Sequence, residues 1–319
     1  AAPALAAGCT IVIKPAKETP LSALALAELA HRAGIPAGVI NVIVGSSSSA
    51  IGGELTSNPA VRKLSFTGST AVGKILLKQC ADTVKKTSME LGGNAPFIVF
   101  DDADLDKAVT GALNSKYRNA GQTCVCTNRF IVQAGIYDAF VEKLAAKVAK
   151  LKLGHGLETG VTVGPMINRG AAKAVDEMVK EAVDKGAHVR AGGDFSDAGH
   201  CFYQPTILSN VSSDMRVFRE EIFGPVAPVF KFDDEAEAVR LANDTEYGLA
   251  AYFYARDMSR IWRVMEGLEF GMVGINEGIL STEVAPFGGM KESGSGREGS
   301  KYGIEDYVEI KYALLGGIM

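Results

Sequence analysis

The chain has 319 residues, of which 47% are hydrophobic and 22% charged, a balance typical of a folded globular protein of one large or two ordinary domains. This composition excludes a disordered chain, a coiled coil and a collagen-like repeat. The formal net charge of −4 gives no basic surface for nucleic acid, and the apolar stretches are too short for a transmembrane helix.

The first part of the chain alternates short apolar runs with segments of helical periodicity. Strands are predicted over 9–13, 39–44, 61–66 and 84–90, and helices over 20–33, 50–56 and 70–80. In the first of these helices, Leu21, Leu24 and Leu29 are predicted to form a buried face. Continuous apolar strands separated by helices predict an α/β fold with a mostly parallel sheet.

The same alternation restarts after a boundary near residues 91–95. Strands are predicted over 97–100, 129–133, 226–232 and 250–254, and helices over 105–116, 137–151, 171–185 and 235–243. Residues 307–315 alternate in polarity, which predicts an edge strand that pairs with a second copy of the chain, and therefore a homo-oligomer.

The five cysteines are few and odd in number, so a disulfide framework is not expected and a reducing compartment is favoured. The four histidines are scattered without ligand spacing, and no structural zinc is predicted.

The segment from Gly68 to Lys74 lies between a predicted strand and a predicted helix, where backbone N–H groups can meet a phosphate. It matches the start of a P-loop, but Ile75 stands where that motif needs Ser or Thr to hold magnesium, so a nucleotide hydrolase is disfavoured. A tight strand-to-helix turn without ligand is the alternative.

Two further segments carry nucleophilic or acid–base side chains. Cys124 stands in the loop N-A-G-Q-T-C-V-C, where it is either a nucleophile or a small buried apolar residue. Glu90 ends a predicted strand in M-E-L-G-G-N, where it is either a catalytic carboxylate or a structural partner. The segments E-E-I-F-G-P (220–225) and P-F-G-G-M-K (286–291) complete the set.

Taken together, these five segments resemble the aldehyde dehydrogenase superfamily in content and order, over essentially the whole chain. Within it, the chain is most similar to the enzymes that oxidise succinic semialdehyde, on the strings K-Y-R-N (116–119), C-V-C (124–126), E-G-I-L-S (277–281) and G-S-K-Y-G (299–303). The resemblance implies a partial Rossmann-type cofactor domain over 1–92, a catalytic domain over 93–300 and an oligomerisation segment over 301–319.

The resemblance also implies a mechanism. Cys124 would attack the aldehyde and form a thioester, and Glu90 would activate the water that hydrolyses it. The backbone N–H of Cys124 would form half of the oxyanion hole.

The cofactor would be NAD or NADP. Lys14 would bind the adenosine ribose, Gly68 and Ser69 the pyrophosphate, and Glu221 the nicotinamide ribose, with Phe223 beside it. Many NAD-preferring relatives have Glu at the position of Lys17. A lysine there offers a cation to the 2′-phosphate, so NADP is expected to be accepted.

The substrate would be a small aldehyde with a carboxylate at its far end, bound by Arg118 and Ser281. Glutaric semialdehyde, one methylene longer, is an alternative that the sequence does not separate firmly from succinic semialdehyde. Cys126 would be a redox partner that blocks Cys124 through a reversible disulfide.

Family members carry a long segment before the position of Ala1, which includes part of the cofactor domain. We therefore expect this chain alone to associate and to have little activity, and an inactive fragment that keeps the fold is the remaining alternative. The expected location is the cytoplasm, or the mitochondrion in a eukaryote.

Overall fold

The structure is a computed structural model that describes residues 1–317. The chain divides into two compact units. The first comprises Ala1–Met89, Thr282–Phe287 and the residues from Ser295 onward, and the second comprises Glu90–Ser281 with Gly288–Gly294. The chain first passes from one unit to the other between Met89 and Glu90. The roles given to the predicted domains remain predictions.

Residues 1–90, which comprise the first segment of the first unit and Glu90, form four α-helices and four short strands. They are α1 (Ala2–Ala6), β1 (Ile11–Ile13), α2 (Leu21–Arg32), β2 (Ile40–Val42), α3 (Ser48–Ser57), β3 (Lys63–Thr67), α4 (Thr70–Ala81) and β4 (Lys86–Glu90). Strands β1 and β2 form a parallel pair, and β3 and β4 are neighbours in a separate sheet. Serine side chains cap two of the helices: Ser47 accepts a hydrogen bond from the Ala50 N–H, and Ser69 accepts one from the Val72 N–H.

The predicted buried face of helix α2 is wrong for this structure. Leu21, Leu24 and Leu29 are all exposed, and the helix has no buried residue. Within its unit, the neighbouring sheet has only two strands of three residues each, and so small a sheet offers little apolar surface to a twelve-residue helix.

The second unit is built on a seven-stranded sheet. Its elements are β5 (Ala95–Val99), α5 (Leu105–Tyr117), β6 (Thr127–Gln133), α6 (Tyr137–Val148), α7 (Arg169–Asp184), β7 (His188–Ala191), β8 (Thr206–Ser209), α8 (Arg216–Arg219), β9 (Val226–Phe232), α9 (Glu235–Asn243), β10 (Tyr247–Gly248), β11 (Ala250–Tyr254), α10 (Met258–Gly267), β12 (Met272–Ile275) and β13 (Met290–Lys291). A last short strand, β14 (Gly294–Ser295), follows.

The strand order in the large sheet is β12-β11-β5-β6-β9-β8-β7, and every neighbouring pair is parallel except the antiparallel pair of β7 and β8. The central strands are buried on both faces, as continuous apolar runs require. The prediction of an α/β fold with a mostly parallel sheet is confirmed.

The edge strand over 307–315 was predicted to pair with a second copy of the chain, and it stays a prediction. Tyr302–Tyr307 forms a 3-10 helix, and residues 308–317 have no regular secondary structure. The apolar side chains of this segment, Ile310, Tyr312 and Leu314 among them, are almost fully exposed. A strand exists only through hydrogen bonds to a neighbouring strand, and the alternating pattern alone does not supply that neighbour.

None of the helices in residues 1–317 is both long and apolar enough to cross a membrane.

Candidate active site

Cys124 lies in the turn that joins helix α5 to the central strand β6. The chain reverses there through Asn119, Ala120 and Gly121, which have φ values of 52°, 54° and 74°. Left-handed backbone is costly for Ala120, whereas Gly121 adopts it freely. Gly121 also has no room for a Cβ, because the carbonyl of Gly224 lies directly against it. This packing holds the cysteine loop against the E-E-I-F-G-P segment.

The side chain of Gln122, in G-Q-T-C, fixes the same loop from its other side. Its Oε1 accepts a hydrogen bond from the Ile167 N–H at 2.8 Å, and its Nε2 donates to the Pro165 and Asn119 carbonyls at 3.2 and 3.1 Å. Three hydrogen bonds from one side chain anchor the residues just before the cysteine.

Glu90 is the last residue of β4 and is only 5% exposed. The glycines that follow it meet the cysteine loop: a Cβ at Gly93 would stand 2.5 Å from the carbonyl oxygen of Cys124. No side chain fits at that separation, so the second glycine of E-L-G-G is required by this contact. The segment that carries the carboxylate and the segment that carries the thiol are thereby in direct contact.

Ser293 lies two residues after the P-F-G-G-M-K segment and connects it to the E-L-G-G loop. Its Oγ donates to the Gly92 carbonyl at 2.7 Å and accepts from the Gly248 N–H at 2.9 Å. Its carbonyl accepts from the Leu91 N–H at 2.9 Å. The side chain is fully buried and anchors the E-L-G-G loop.

Glu221 joins the same group of loops. Its Oε1 accepts a hydrogen bond from the Gly93 N–H at 2.9 Å. Burial raises the pKa of this carboxyl from 4.5 to about 7, against the opposing effects of the Gly93 N–H and the Lys116 cation. Phe223, two residues on, is 43% exposed with a φ of 48°, a strained conformation for a side-chain-bearing residue.

The charges of these two carboxyl groups act on the Cys124 thiol. Burial, together with the negative charges of Glu221 and Glu90, raises the pKa of Cys124 to about 11, against the opposing effect of its own backbone N–H. The thiol is therefore neutral at pH 7 in the free protein, and its activation as a nucleophile requires a base to take its proton. The acidity of this thiol therefore depends on charged residues from two other motifs.

The geometry agrees with a comparison of the sequence against protein-family models, in which the model described as "Aldehyde dehydrogenase family" matches residues 1–313. The chain belongs to the aldehyde dehydrogenase family. It is 65% identical to the succinate-semialdehyde dehydrogenase (NADP(+)) of Escherichia coli, over 99% of this chain and 65% of that protein. It is also 65% identical to a glutarate-semialdehyde dehydrogenase of Pseudomonas aeruginosa, over 100% of this chain and 66% of that protein.

Solved structures give the same result for the fold. A structure described as an E. coli NADP-dependent enzyme superposes with a TM-score of 0.97 at 65% identity, over 98% of this chain and 65% of that chain. A succinate-semialdehyde dehydrogenase from Burkholderia pseudomallei gives 0.97 at 64% identity, over 98% of this chain and 64% of that one. The chain thus spans about two thirds of the length of these aldehyde dehydrogenases.

The other residues that the sequence singled out in the second unit lie at different depths. Arg118 is half-buried, and its carbonyl is 3.8 Å from the buried Sγ of Cys126, which also lies 3.1 Å from Thr123 Oγ1. Both Cys124 and Cys126 are free thiols. Ser281 is an exposed loop residue at the end of its segment, and its role stays a prediction.

The predicted cofactor residues of the first unit are less enclosed. Lys14 follows β1 and is half-buried, whereas the Lys17 side chain is 64% exposed, 3.5 Å from Glu18. Ser69 is the exposed N-cap of α4, so its hydroxyl accepts from the helix's own Val72 N–H. Gly68 precedes it with the Phe66 ring where a Cβ would stand.

Two features of the site were not predicted from the sequence. Lys116 is 1% exposed at the end of α5, where burial lowers its pKa to about 8 although Cys126 and Glu221 favour its charge. Asn94 and Asn128 form a buried hydrogen-bonded pair beside Glu221. Lys116 ends a predicted helix, and Asn94 and Asn128 stand next to predicted strands, so the available signal was only polar residues beside apolar segments, where burial requires hydrogen-bond partners.

Proposed function

We propose that the protein oxidises succinic semialdehyde to succinate with NAD or NADP, through a thioester on Cys124. The observation that carries this proposal is the convergence of Glu90, Glu221 and the Cys124 thiol on loops in direct contact. The family resemblance gives Cys124 the role of nucleophile, Glu90 that of general base and Glu221 that of ribose ligand.

The residues supply the acid–base steps. The Cys124 Sγ attacks the aldehyde carbon as its proton passes to a neighbouring carboxylate, and a carboxyl with a pKa near 7, such as Glu221, can take a proton at neutral pH. The aldehyde oxygen, which becomes negative in this attack, would accept a hydrogen bond from the Cys124 N–H. Once the thioester is formed, Glu90 removes a proton from water, the hydroxide adds to the acyl carbon and the Cys124 sulfur leaves.

The donor set fits a nicotinamide dinucleotide, which when bound would accept the hydride from the aldehyde carbon. A helix N-terminus at Gly68 and Ser69 suits a pyrophosphate, and the Glu221 carboxylate suits ribose hydroxyls. The exposed Lys17 suits a 2′-phosphate, and similar enzymes from E. coli and Sinorhizobium fredii are named for NADP(+). We propose that NADP is accepted.

The substrate assignment rests on Arg118, a half-buried residue six positions before the nucleophile. The charge of its guanidinium acts on the Tyr252 phenol beside the cysteine loop. Ser281 would be its partner on the carboxylate. Relatives at 62–66% identity are named for glutarate semialdehyde and 3-sulfolactaldehyde, which also carry an anionic group. Glutaric semialdehyde is therefore the second candidate, since one methylene changes binding by only ~1–3 kcal/mol.

The test is NAD(P)H formation by the complete gene product with succinic semialdehyde, glutaric semialdehyde and an uncharged aldehyde of similar length. We expect the highest kcat/KM with succinic semialdehyde and a loss of at least ~10³-fold in Cys124→Ala. Turnover that survives Cys124→Ala, or that is absent with every aldehyde, contradicts the proposal.

Two further roles belong to this proposal. A Cys124–Cys126 disulfide would block the nucleophile reversibly. If peroxide inactivates Cys126→Ala with the same recovery by dithiothreitol as the wild type, this role is wrong.

The protein would also form a homodimer or homotetramer, to which the exposed apolar residues of 308–317 would contribute. Light scattering that shows a monomer at micromolar concentration contradicts the second role.

A further inference from the structure

The side chain of Asn128 holds the main chain on both sides of Glu221. Its Oδ1 accepts a hydrogen bond from the Ile222 N–H at 2.9 Å, and its Nδ2 donates to the Glu220 carbonyl at 2.9 Å. Asn128 is only 3% exposed and lies near the start of the central strand β6, four residues after Cys124. One amide group therefore fixes the peptide groups before and after Glu221.

The same amide is linked to the loop that Glu221 contacts. The second Nδ2 hydrogen of Asn128 is donated to Asn94 Oδ1 at 2.7 Å. Asn94 directly follows Gly93, whose N–H holds the Glu221 carboxylate at 2.9 Å. The bonds close a ring that runs from Asn128 through the main chain of Glu221 to its carboxylate, on to Gly93 and Asn94, and back to Asn128.

The far side of this ring is also fixed. The Nε and Nη2 of the fully buried Arg129 donate to the Asn94 carbonyl at 3.2 and 2.9 Å, and Asn94 Nδ2 donates to the Phe218 carbonyl at 2.9 Å. Both donor hydrogens of Asn128 are used, and a flipped amide would set its oxygen against the Glu220 and Asn94 oxygens. Leaving such buried groups unpaired costs about 1–3 kcal/mol each, so the ring has one stable arrangement.

We infer that Asn128 is a positioning residue that directs the Glu221 carboxylate toward Gly93 and the Cys124 loop. This inference rests on the proposed function, in which Glu221 binds the ribose of the cofactor. The left-handed Phe223 that follows Ile222 is consistent with it, because strained backbone persists only where its surroundings determine it.

Asn243 offers a matched control. Its Nδ2 donates to the Gly267 carbonyl at 2.8 Å and its Oδ1 accepts from the Glu269 N–H at 3.0 Å, so it holds the main chain around Leu268 as Asn128 does around Glu221. Asn243→Ala removes the same kind of support without touching the ring. Both variants are expected to lower the melting temperature of the complete gene product.

Of these two variants, only Asn128→Ala should change cofactor binding and the reactivity of the Cys124 thiol. We expect a rise of ~5–50-fold in KM for the cofactor, the equivalent of one or two lost hydrogen bonds, with a change of less than about twofold in Asn243→Ala. We also expect alkylation of the Cys124 thiol to be ~2–5-fold faster in Asn128→Ala at a pH below the thiol pKa, because a displaced Glu221 carboxylate no longer disfavours the thiolate. Mass spectrometry of the peptide that contains Cys124 measures this rate. Asn94→Ala should act in the same direction and serves if Asn128→Ala does not fold.

Wild-type KM and wild-type alkylation in a folded Asn128→Ala or Asn94→Ala protein would overturn the inference, whatever the loss of stability. Glu221→Gln separates this result from a failure of the proposed function. If Glu221→Gln leaves the cofactor KM unchanged, the role given to Glu221 is wrong. The alkylation rate, which needs no cofactor, then decides whether Asn128 directs this carboxylate.

Discussion

The two units of the chain present their proposed functional residues in different ways. In the second unit, Glu90, Cys124 and Glu221 stand on loops that are joined by close backbone contacts and buried hydrogen bonds. In the first unit, Lys17 and Ser69 are exposed, and Ser69 caps its own helix. The geometry around the thiol is therefore set by the fold itself, whereas the residues of the first unit would gain their role only on contact with a ligand.

The glycines show the same contrast. Gly93 and Gly121 are required because backbone atoms of other loops occupy the place of a Cβ. Gly34 and Gly38, in the first unit, have open space around them and serve turns with positive φ. A residue within the interlocked loops should therefore affect kcat and stability strongly, and an exposed residue should affect the binding of one ligand.

The largest effect is expected from Glu90→Gln, which keeps the size of the side chain but removes the proposed general base. Steady-state turnover should fall by ~10²–10⁴-fold, while the first turnover still releases NAD(P)H as a burst, because acylation precedes the step that needs Glu90. Rapid mixing of the complete gene product with aldehyde and cofactor measures both phases. Loss of the burst together with turnover would show that Glu90 acts before the thioester forms.

Arg118→Ala should produce the next largest effect and should be selective for the substrate. KM for succinic semialdehyde should rise by ~10–100-fold, which corresponds to the loss of hydrogen bonds between charged groups. KM for an uncharged aldehyde should change little. Steady-state kinetics with both aldehydes check this. An equal loss with the two substrates would assign Arg118 to the support of the cysteine loop instead.

Lys17→Glu tests an exposed residue of the first unit. Since the lysine is 64% exposed, its contact with a 2′-phosphate is screened by solvent, and we expect kcat/KM for NADP to fall by only about 3–10-fold. kcat/KM for NAD should stay the same or rise. An unchanged NADP value would remove Lys17 from the cofactor site.

The smallest effect concerns stability and pH. The pKa of Glu221 is about 7 in the folded protein against 4.5 ordinarily, so the fold favours the protonated carboxyl. The stability present below pH 4.5 is then lost as the pH rises through 7. The side chain of Glu221→Gln is neutral at every pH. The melting temperature of this variant minus that of the wild type should therefore be a few degrees higher at pH 8 than at pH 5. The same difference at both pH values would contradict the raised pKa.

Local sequence determined many elements. Strands Val226–Phe232 and Ala250–Tyr254 and helix Glu235–Asn243 were predicted with the bounds that the structure shows. Each combines a clear apolar pattern with a local end signal, such as Asp234, whose side chain accepts from the Glu237 N–H at the start of α9. The order of the five motifs was likewise enough to indicate the family.

Only the tertiary structure decided what these local patterns could not contain. The exposure of Leu21 and Leu24 and the burial of Lys116 depend on which elements become neighbours. The bond from Ser293 to Gly92 and the hold of Asn128 on both sides of Glu221 join residues about 90 to 200 positions apart. Periodicity and motif spacing describe a segment and its nearest residues, whereas burial and hydrogen-bond partners belong to the packed molecule.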